Sequence, residues 1–207
     1  MGGIQTGCDH RLLHSVTMQA HLEIGFELDR RWHLLRGENM DDSKKPDLLM
    51  LARALAAAQT PYAIIGGAAL QIHQDEPRTT LDIDLAVKDV HALPETALKL
   101  LGFRPTGSYP HSFNWVGPGG TPVQFSDDPA FGEAIDRATL SPLVDVPLRV
   151  ATPLDLLKAK LRATRDVARR RSKRLQDMAD AMGLVETRPD LLGQLSEEER
   201  AILTSVK

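Results

Sequence analysis

Two aspartates, Asp82 and Asp84, stand one residue apart in the apolar run TTLDIDLAV. Side chains alternate between the faces of a β-strand, so both carboxylates would project from one face, about 7 Å apart at the backbone. Two anions this close repel each other unless a cation lies between them. Carboxylate oxygens suit Mg²⁺, which commonly takes one or two carboxylates and completes its shell with phosphate oxygens. The pattern predicts a divalent-metal site, although exposed strand polarity alone also produces Asp-x-Asp.

Two adjacent glycines, Gly66 and Gly67, follow a short apolar strand and open a helix. Glycine lets the backbone turn tightly and lets a phosphate approach it closely. The helix that follows presents unpaired N–H groups and the positive end of its dipole. This junction predicts a phosphate-binding turn, although many strand–helix turns contain glycine without binding a ligand.

Three predicted elements would position these groups. A strand at 62–65 precedes the glycines, and a helix at 68–73 follows them. Residues 80–87 alternate as a strand, with Leu81 and Ile83 on the core face and the aspartates on the other.

Apolar spacing, caps and turn residues predict the remaining elements. These are helices at about 47–59, 94–101, 128–138, 153–168, 172–183 and 196–206, a hairpin of 111–116 and 122–125, and a strand at 148–150. Such alternation of helices and strands indicates an α+β (α/β) fold, with a mixed β-sheet flanked by helices and further helices at the C-terminus.

The spaced combination is more specific than either motif alone. Fourteen residues separate Gly67 from Asp82, in the order strand, Gly-Gly, helix, loop, strand, Asp-x-Asp. The segment GGAALQIHQDEPRTTLDIDLAV resembles the signature of the nucleotidyltransferase superfamily. More narrowly, it is similar to small bacterial nucleotidyltransferases that include abortive-infection toxins of type IV toxin–antitoxin systems.

The resemblance implies a fold, ligands and site residues. It implies a nucleotidyltransferase-like sheet, with a nucleoside triphosphate (NTP) bound at Gly66 and Gly67 and Mg²⁺ bound by Asp82 and Asp84. Arg78 and Thr79 match a basic residue and a hydroxyl just before the aspartate strand. His73 matches a frequent histidine, but a helix histidine at the edge of the core is the favoured interpretation.

A second stretch extends the resemblance. TPLDLLKAKLRA and KRLQDMADAMGL are similar to the C-terminal part of the toxin-like members, where a lysine and a later aspartate join the active site. The matching residues are Lys158 and Asp177, with Lys160 as an alternative lysine. On one straight helix Lys158 and Asp177 would stand about 28 Å apart. The resemblance therefore requires a break, which we place near Arg170 to Ser172.

One position departs from the superfamily pattern. Many members carry a third carboxylate on a later strand, and the matching residue in PVQFSDD is Gln124. An amide cannot take a proton from a nucleophile or supply the charge that helps hold a second metal ion. Asp128 is predicted to cap a helix.

Basic residues are concentrated in one segment. Nine of the 25 Lys and Arg residues, but only one of the 28 Asp and Glu residues, lie between Lys158 and Arg174 in a chain of net charge −3. On a continuous helix Lys158, Arg162, Arg165, Arg169 and Lys173 would form one stripe. That stripe would contact the phosphates of tRNA or another RNA, or of the triphosphate; a solvated face is an equally open interpretation.

Composition predicts a cytoplasmic protein with no membrane partner, because apolar runs are short and one cysteine cannot form an internal disulfide. We expect three regions: an N-terminal extension at 1–39, a nucleotidyltransferase-like core at 40–150 and a C-terminal helical region at 151–207. The extension shows no sustained apolar period. It is either a loosely ordered arm or a non-native upstream addition, with Met40 as the true start.

The leading functional hypothesis is Mg²⁺-dependent transfer of a nucleoside monophosphate from an NTP to tRNA, a protein or a small molecule, with Asp82, Asp84, Lys158 and Asp177 as catalytic residues. A toxin role would imply a cognate antitoxin protein. The alternatives are a degenerate nucleotide- or partner-binding module, favoured by Gln124, and an RNA-binding protein that uses the basic segment.

Overall fold

The computed structural model describes residues 10–37, 44–76 and 79–204 of the chain. The α-helices in these ranges are α1 (His10–Leu35), α2 (Lys44–Ala57), α3 (Gly66–His73), α4 (Glu95–Leu100), α5 (Gly132–Asp136), α6 (Pro153–Arg165), α7 (Arg171–Thr187) and α8 (Glu197–Thr204). The strands are β1 (Tyr62–Ile65), β2 (Ile83–Val87), β3 (Arg104–Tyr109), β4 (Ser112–Val116), β5 (Pro122–Ser126), β6 (Thr139–Leu143) and β7 (Val146–Val150).

The strands form one mixed sheet in the order β3-β4-β5-β2-β1-β7-β6. At its centre β2 pairs antiparallel with β1 and parallel with β5. Both faces of these strands are largely buried, as in BBBB for β1 and BiBBB for β2. The two motif segments therefore lie on adjacent strands at the centre of the sheet.

The predicted fold class, a mixed sheet flanked by helices, is confirmed. Two strands, β3 and β6, were not predicted, and both lie at the edges of the sheet. β3 has the sequence RPTGSY and all six residues are exposed, while β6 has the sequence TLSPL. An edge strand pairs on one side only, so it tolerates proline and needs no alternating apolar pattern.

A break in the basic segment is confirmed, but it lies at 166–170, slightly before the predicted position near Arg170 to Ser172. α6 ends at Arg165 and α7 begins at Arg171. Thr152 caps α6 through a hydrogen bond from the Asp155 N–H, with Pro153 in the first turn. The two helices turn back on each other and pack on the core through Leu157, Leu161 and Leu184.

The N-terminal extension contains a long helix that the sequence analysis did not predict. α1 spans His10–Leu35, and Leu22 and Phe26 are buried in the same core as the sheet. Its apolar side chains are not confined to one face, since Ile24, Leu28 and Trp32 are exposed. This mixed pattern hides the helical period in the sequence. Met40 itself falls in 38–43, outside the described residues.

No helix among the described residues is long and apolar enough to span a membrane.

Candidate active site

The Gly-Gly turn lies directly against the aspartate strand. In the β1–β2 pairing Ile65 is opposite Asp84, so the end of β1 delivers Gly66 to that carboxylate. Gly66 has a φ of +63°, in the left-handed region that favours glycine. A Cβ atom at Gly66 would collide with Oδ2 of Asp84, and one at Gly67 would collide with Oγ1 of Thr80. The absence of both side chains is what allows the two motifs to approach.

Replacing Gly66 with alanine should therefore damage the site more than backbone strain alone predicts. Left-handed conformation costs a non-glycine residue about 1–2 kcal/mol. Gly37 provides a matched control, because its φ is +73° and a Cβ atom there would meet nothing within 4 Å. We expect Gly37→Ala to lower the unfolding free energy by the strain alone, and Gly66→Ala to cost more and to weaken NTP binding. Denaturant unfolding measures the unfolding free energy, and calorimetry measures NTP binding. An equal loss of unfolding free energy in the two variants, with unchanged NTP binding, would contradict the predicted collision with Asp84.

Asp82 and Asp84 do not occupy one continuous strand. β2 begins at Ile83, so Asp84 lies in the strand while Asp82 lies in the bend before it. Leu81, expected on the core face, is instead 51% exposed, and the core anchors are Ile83 and Leu85. The prediction for Leu81 was wrong because the strand starts at Ile83, three residues later than the alternation suggests.

Thr80 connects the parts of the site. Its side chain is buried beside Gly67, and its hydroxyl donates a hydrogen bond of 3.0 Å to Oδ1 of Asp82. Its backbone N–H donates to Oδ1 of Asp29 on α1 at 3.0 Å. Oδ2 of Asp29 accepts from the ammonium of Lys44 at the start of α2. Lys44, Asp29 and Thr80 thus form a chain of hydrogen bonds that ends at Asp82.

The two aspartates lie close enough for their negative charges to interact. Burial, followed by the negative charge of Asp82, raises the pKa of Asp84 to about 7. The positive charges of Lys160, Arg169 and Lys173 act in the opposite direction. A bound cation would relieve this repulsion, so the electrostatics favour a metal ligand pair.

Gln124, which the resemblance matches to a third carboxylate, lies beside Asp84. The parallel pairing of β2 and β5 sets Asp84 opposite Gln124. Gln124 and Ser126 line the same cleft as the aspartates. Asp128 also reaches the cleft, but its Oδ1 caps the Pro129–Phe131 turn by accepting from the Ala130 N–H.

A cleft with a volume of about 1050 Å³ opens above the aspartates. One wall is formed by Gly66, Gly67 and the 79–84 segment, and the other by the α6–α7 turn. The basic side chains on this second wall are Lys160, Arg162, Arg169, Arg170 and Lys173. A carboxylate floor facing a cationic wall is the charge arrangement that a metal-bound polyphosphate requires.

Asp177 reaches the cleft because the α6–α7 turn folds α7 back over α6. Its buried carboxylate accepts from Lys160 Nζ at 2.9 Å and from Arg169 Nε at 2.6 Å. Lys160 also pairs with Asp180 at 2.7 Å. Both carboxylate oxygens of Asp177 are engaged by cations, which suits a residue that orients Lys160 and Arg169.

Lys158 does not line this cleft, whereas Lys160 does. Two residues correspond to about 200° around a helix, so the two lysines project from nearly opposite sides of α6. Lys158 is exposed in a neighbouring groove that also contains Arg137, Asp155 and Arg165. The structure therefore places Lys160, the alternative lysine, in the cleft and Lys158 outside it.

The expected single basic stripe does not form, because the helix ends at Arg165. Lys158 and Arg165 line the neighbouring groove, Arg169 and Lys173 line the cleft, and Arg162 lies between the two. Arg162 stacks over Phe131 at 5.1 Å from the ring centre and contacts Asp128. The basic residues are therefore divided between the cleft and the neighbouring groove instead of following one helix face.

Three further residues were matched by the resemblance: Arg78, Thr79 and His73. Arg78 lies outside the described residues. Thr79 is exposed at the rim of the cleft. His73 hydrogen-bonds through Nε2 to the carbonyl of Ala151 at 2.9 Å, and burial lowers its pKa. His73 therefore joins α3 to the start of α6 as a structural residue, in agreement with the favoured interpretation.

The residues that sequence reasoning missed are Thr80, Asp29 and Lys44. Thr80 is adjacent to the expected Thr79, and its place before Asp82 was the available signal. Asp29 and Lys44 lie 51 and 36 residues before Thr80. No local pattern marks them, since both appear as ordinary surface charges.

The donor set fits Mg²⁺. In the described part of the chain, no group of three or more His, Cys, Asp or Glu side chains is arranged to hold a metal ion. Asp82 and Asp84 instead supply two carboxylates on the floor of an open cleft. Mg²⁺ is commonly bound by one or two carboxylates, with waters and substrate phosphates as its other ligands.

Comparison with solved structures gives the fold. An antigenic nucleotidyltransferase-like protein from Paracoccidioides brasiliensis superimposes with a TM-score of 0.55 at 22% sequence identity, covering 81% of this chain and 88% of that one. The chain has a nucleotidyltransferase-like fold. The antibiotic-resistance factor ANT(2'')-Ia shares this nucleotidyltransferase-like fold with a TM-score of 0.51 at 16% identity, covering 80% of this chain and 92% of that one. No protein-family model and no curated protein sequence matches the chain.

Proposed function

We propose that this protein is a Mg²⁺-dependent nucleotidyltransferase that transfers a nucleoside monophosphate from an NTP to an acceptor and releases pyrophosphate. The observation that carries the proposal is the cleft in which the Gly66-Gly67 turn contacts Asp84 and faces a cationic wall. The nucleotidyltransferase-like fold supports it.

The chain's own residues would act mainly by positioning and charge neutralisation. Backbone N–H groups at Gly66 and Gly67, at the N-terminus of α3, would bind phosphate oxygens. Asp82 and Asp84 would hold Mg²⁺, which supplies charge neutralisation at the phosphates. Lys160 and Arg169, oriented by Asp177, would stabilise negative charge that develops on the pyrophosphate.

The test is transfer of label from α-³²P NTPs in the presence of Mg²⁺. Acceptors in the panel are total tRNA, suggested by the resemblance to type IV toxins, the protein itself, and antibiotics, suggested by the ANT(2'')-Ia fold. Label should reach at least one acceptor with wild type and not with Asp82→Ala/Asp84→Ala. Equal labelling by both proteins would refute the assignment of this site.

The two lysines of α6 give a paired prediction. Lys160→Met should raise the KM for NTP or lower kcat by about 10- to 100-fold, because it removes a cation from the cleft wall and from Asp177. Lys158→Met should stay within about twofold of wild type, since Lys158 lies in the neighbouring groove. Steady-state kinetics on both variants measures these effects. A larger loss of activity in Lys158→Met than in Lys160→Met would favour Lys158, the lysine first matched by the resemblance.

A second candidate function is a nucleotide-binding module without turnover. The observation in its favour is Gln124, an amide opposite Asp84 on β5. Such a module would bind Mg²⁺ and NTP by calorimetry and yet release no pyrophosphate with any acceptor. A Gln124→Asp variant that gained turnover would then identify the missing carboxylate as the cause.

A further inference from the structure

The N-terminal helix α1 reaches the centre of the sheet at two points. Gly25 packs so closely on α3 that a Cβ atom there would overlap the side chain of Gln71. One turn further, Asp29 is buried at 3% exposure and contacts both Lys44 and Thr80. The first contact places α1 against the helix that opens at the Gly-Gly turn, and the second places it against the aspartate segment.

The Asp29 contacts differ in kind from an ordinary helix–helix ion pair. One carboxylate oxygen accepts the ammonium of Lys44, which is 6% exposed, and the other accepts the Thr80 backbone N–H. A buried lysine needs such a partner, and a buried N–H needs an acceptor. Asp29 therefore satisfies two buried donors at once, and one of them belongs to the segment that carries Asp82.

Thr80 connects Asp29 to Asp82 and so to the candidate metal site. Its hydroxyl hydrogen-bonds to Asp82 Oδ1 at 3.0 Å, while its side chain lies against Gly67. The 79–82 stretch precedes β2 and has no strand pairing of its own. Its position depends on side-chain and backbone contacts such as these.

We infer that Asp29 is a positioning residue for the candidate metal site, acting through the Thr80 N–H to hold the Thr80 hydroxyl against Asp82, so that α1 is part of the active site. This inference rests on the proposed function. Groups that orient metal ligands typically contribute about 10- to 100-fold to metal affinity or activity.

The experiment compares two ion pairs that both join α1 to α2. Asp29→Leu/Lys44→Met replaces both members of the buried pair by apolar side chains and leaves the Thr80 N–H without this acceptor. It also removes the Lys44 charge, which acts on Asp82 and Asp84; loss of that charge alone would strengthen cation binding, so weaker binding reports the Thr80 contact. Glu23→Leu/Lys45→Met removes the second, partly exposed pair, which does not involve Thr80. Four readouts are needed: Mg²⁺-ATP affinity by calorimetry, the Mg²⁺ concentration that gives half-maximal transfer, hydrogen–deuterium exchange of a peptide spanning 79–84 in metal-free protein, and the melting temperature.

The Asp29 variant should bind Mg²⁺-ATP about 10- to 100-fold more weakly and exchange faster at 79–84, whereas the Glu23 variant should match wild type in both. A melting temperature that falls equally in the two variants, with Mg²⁺-ATP affinity and exchange at 79–84 unchanged, would overturn the inference and leave Asp29 a purely structural residue. If wild type itself neither binds Mg²⁺-ATP nor transfers label, the proposed function fails. The exchange measurement still tests whether Asp29 holds the 79–84 segment.

Discussion

Replacing Asp84 with asparagine should reduce nucleotidyl transfer by about 10²- to 10⁴-fold, because it removes a carboxylate from the candidate metal site while keeping the size of the side chain. A metal ion contributes several kcal/mol of charge stabilisation in such reactions, and each 1.36 kcal/mol is a factor of ten in rate. The variant should still fold, since Asp84 lies within β2 and its backbone pairing is unaffected. Initial rates at saturating NTP and Mg²⁺ measure the effect.

The same substitution should stabilise the metal-free protein above neutral pH. Burial and the charge of Asp82 raise the pKa of Asp84 from 3.8 to about 7. The folded state thus binds the Asp84 proton more tightly than the unfolded state does, so wild type loses stability as pH rises from 3.8 to about 7. Asparagine does not ionise, and Asp84→Asn lacks this loss.

Thermal melts in the presence of a chelator, at pH 5 and at pH 8, test the direction of this change in stability. We expect the melting temperature of Asp84→Asn relative to wild type to be higher at pH 8 than at pH 5. Asp145→Asn is a suitable control, because Asp145 is an exposed residue paired with Arg53. A variant that is inactive and also less stable than wild type at pH 8 would show that Asp84 is a structural residue and not a strained metal ligand.

A chain that begins at Met40 should fail to fold cooperatively. It lacks Leu22 and Phe26, which are buried in the main core, each worth about 1.5–3 kcal/mol. It also lacks Asp29, and leaving the buried Lys44 unpaired costs about 3–5 kcal/mol. The combined loss is comparable with the 5–15 kcal/mol by which domains are typically stable. Circular dichroism melts and soluble yield would measure it.

The control is a chain that begins at Ala20, which keeps Leu22, Phe26 and Asp29. This chain should retain a cooperative melt and the Mg²⁺-ATP affinity of the full chain. If the Met40 chain instead melts cooperatively at the full-chain temperature and transfers label, α1 is an addition that the fold does not need.

Local sequence patterns were sufficient for the centre of the fold. β1 was predicted at its observed bounds, and the Gly-Gly turn and α3 follow it as expected, because apolar runs and glycine junctions act over a few residues. The break between α6 and α7 was also predictable, since adjacent like charges disfavour a continued helix. The edges of the sheet were missed because an exposed strand such as β3 needs no apolar alternation.

The residues of α6 that line the cleft could not be predicted from the sequence. Lys158 and Lys160 are equally basic and two residues apart, and only the packing face of α6 decides which one meets Asp177. Likewise the resemblance marked Asp177 as a site residue, but only the fold shows that Lys160 and Arg169 surround its carboxylate.

The sequence by itself determined that Gly66, Gly67, Asp82 and Asp84 belong to one strand–helix–strand unit, because their spacing is a local property of the chain. Only the tertiary structure decided that Thr80 joins the two motifs and that Asp29 supports Thr80 from 51 residues away. A buried N–H and a buried ammonium each need an acceptor, and which side chain supplies it depends on how distant helices pack.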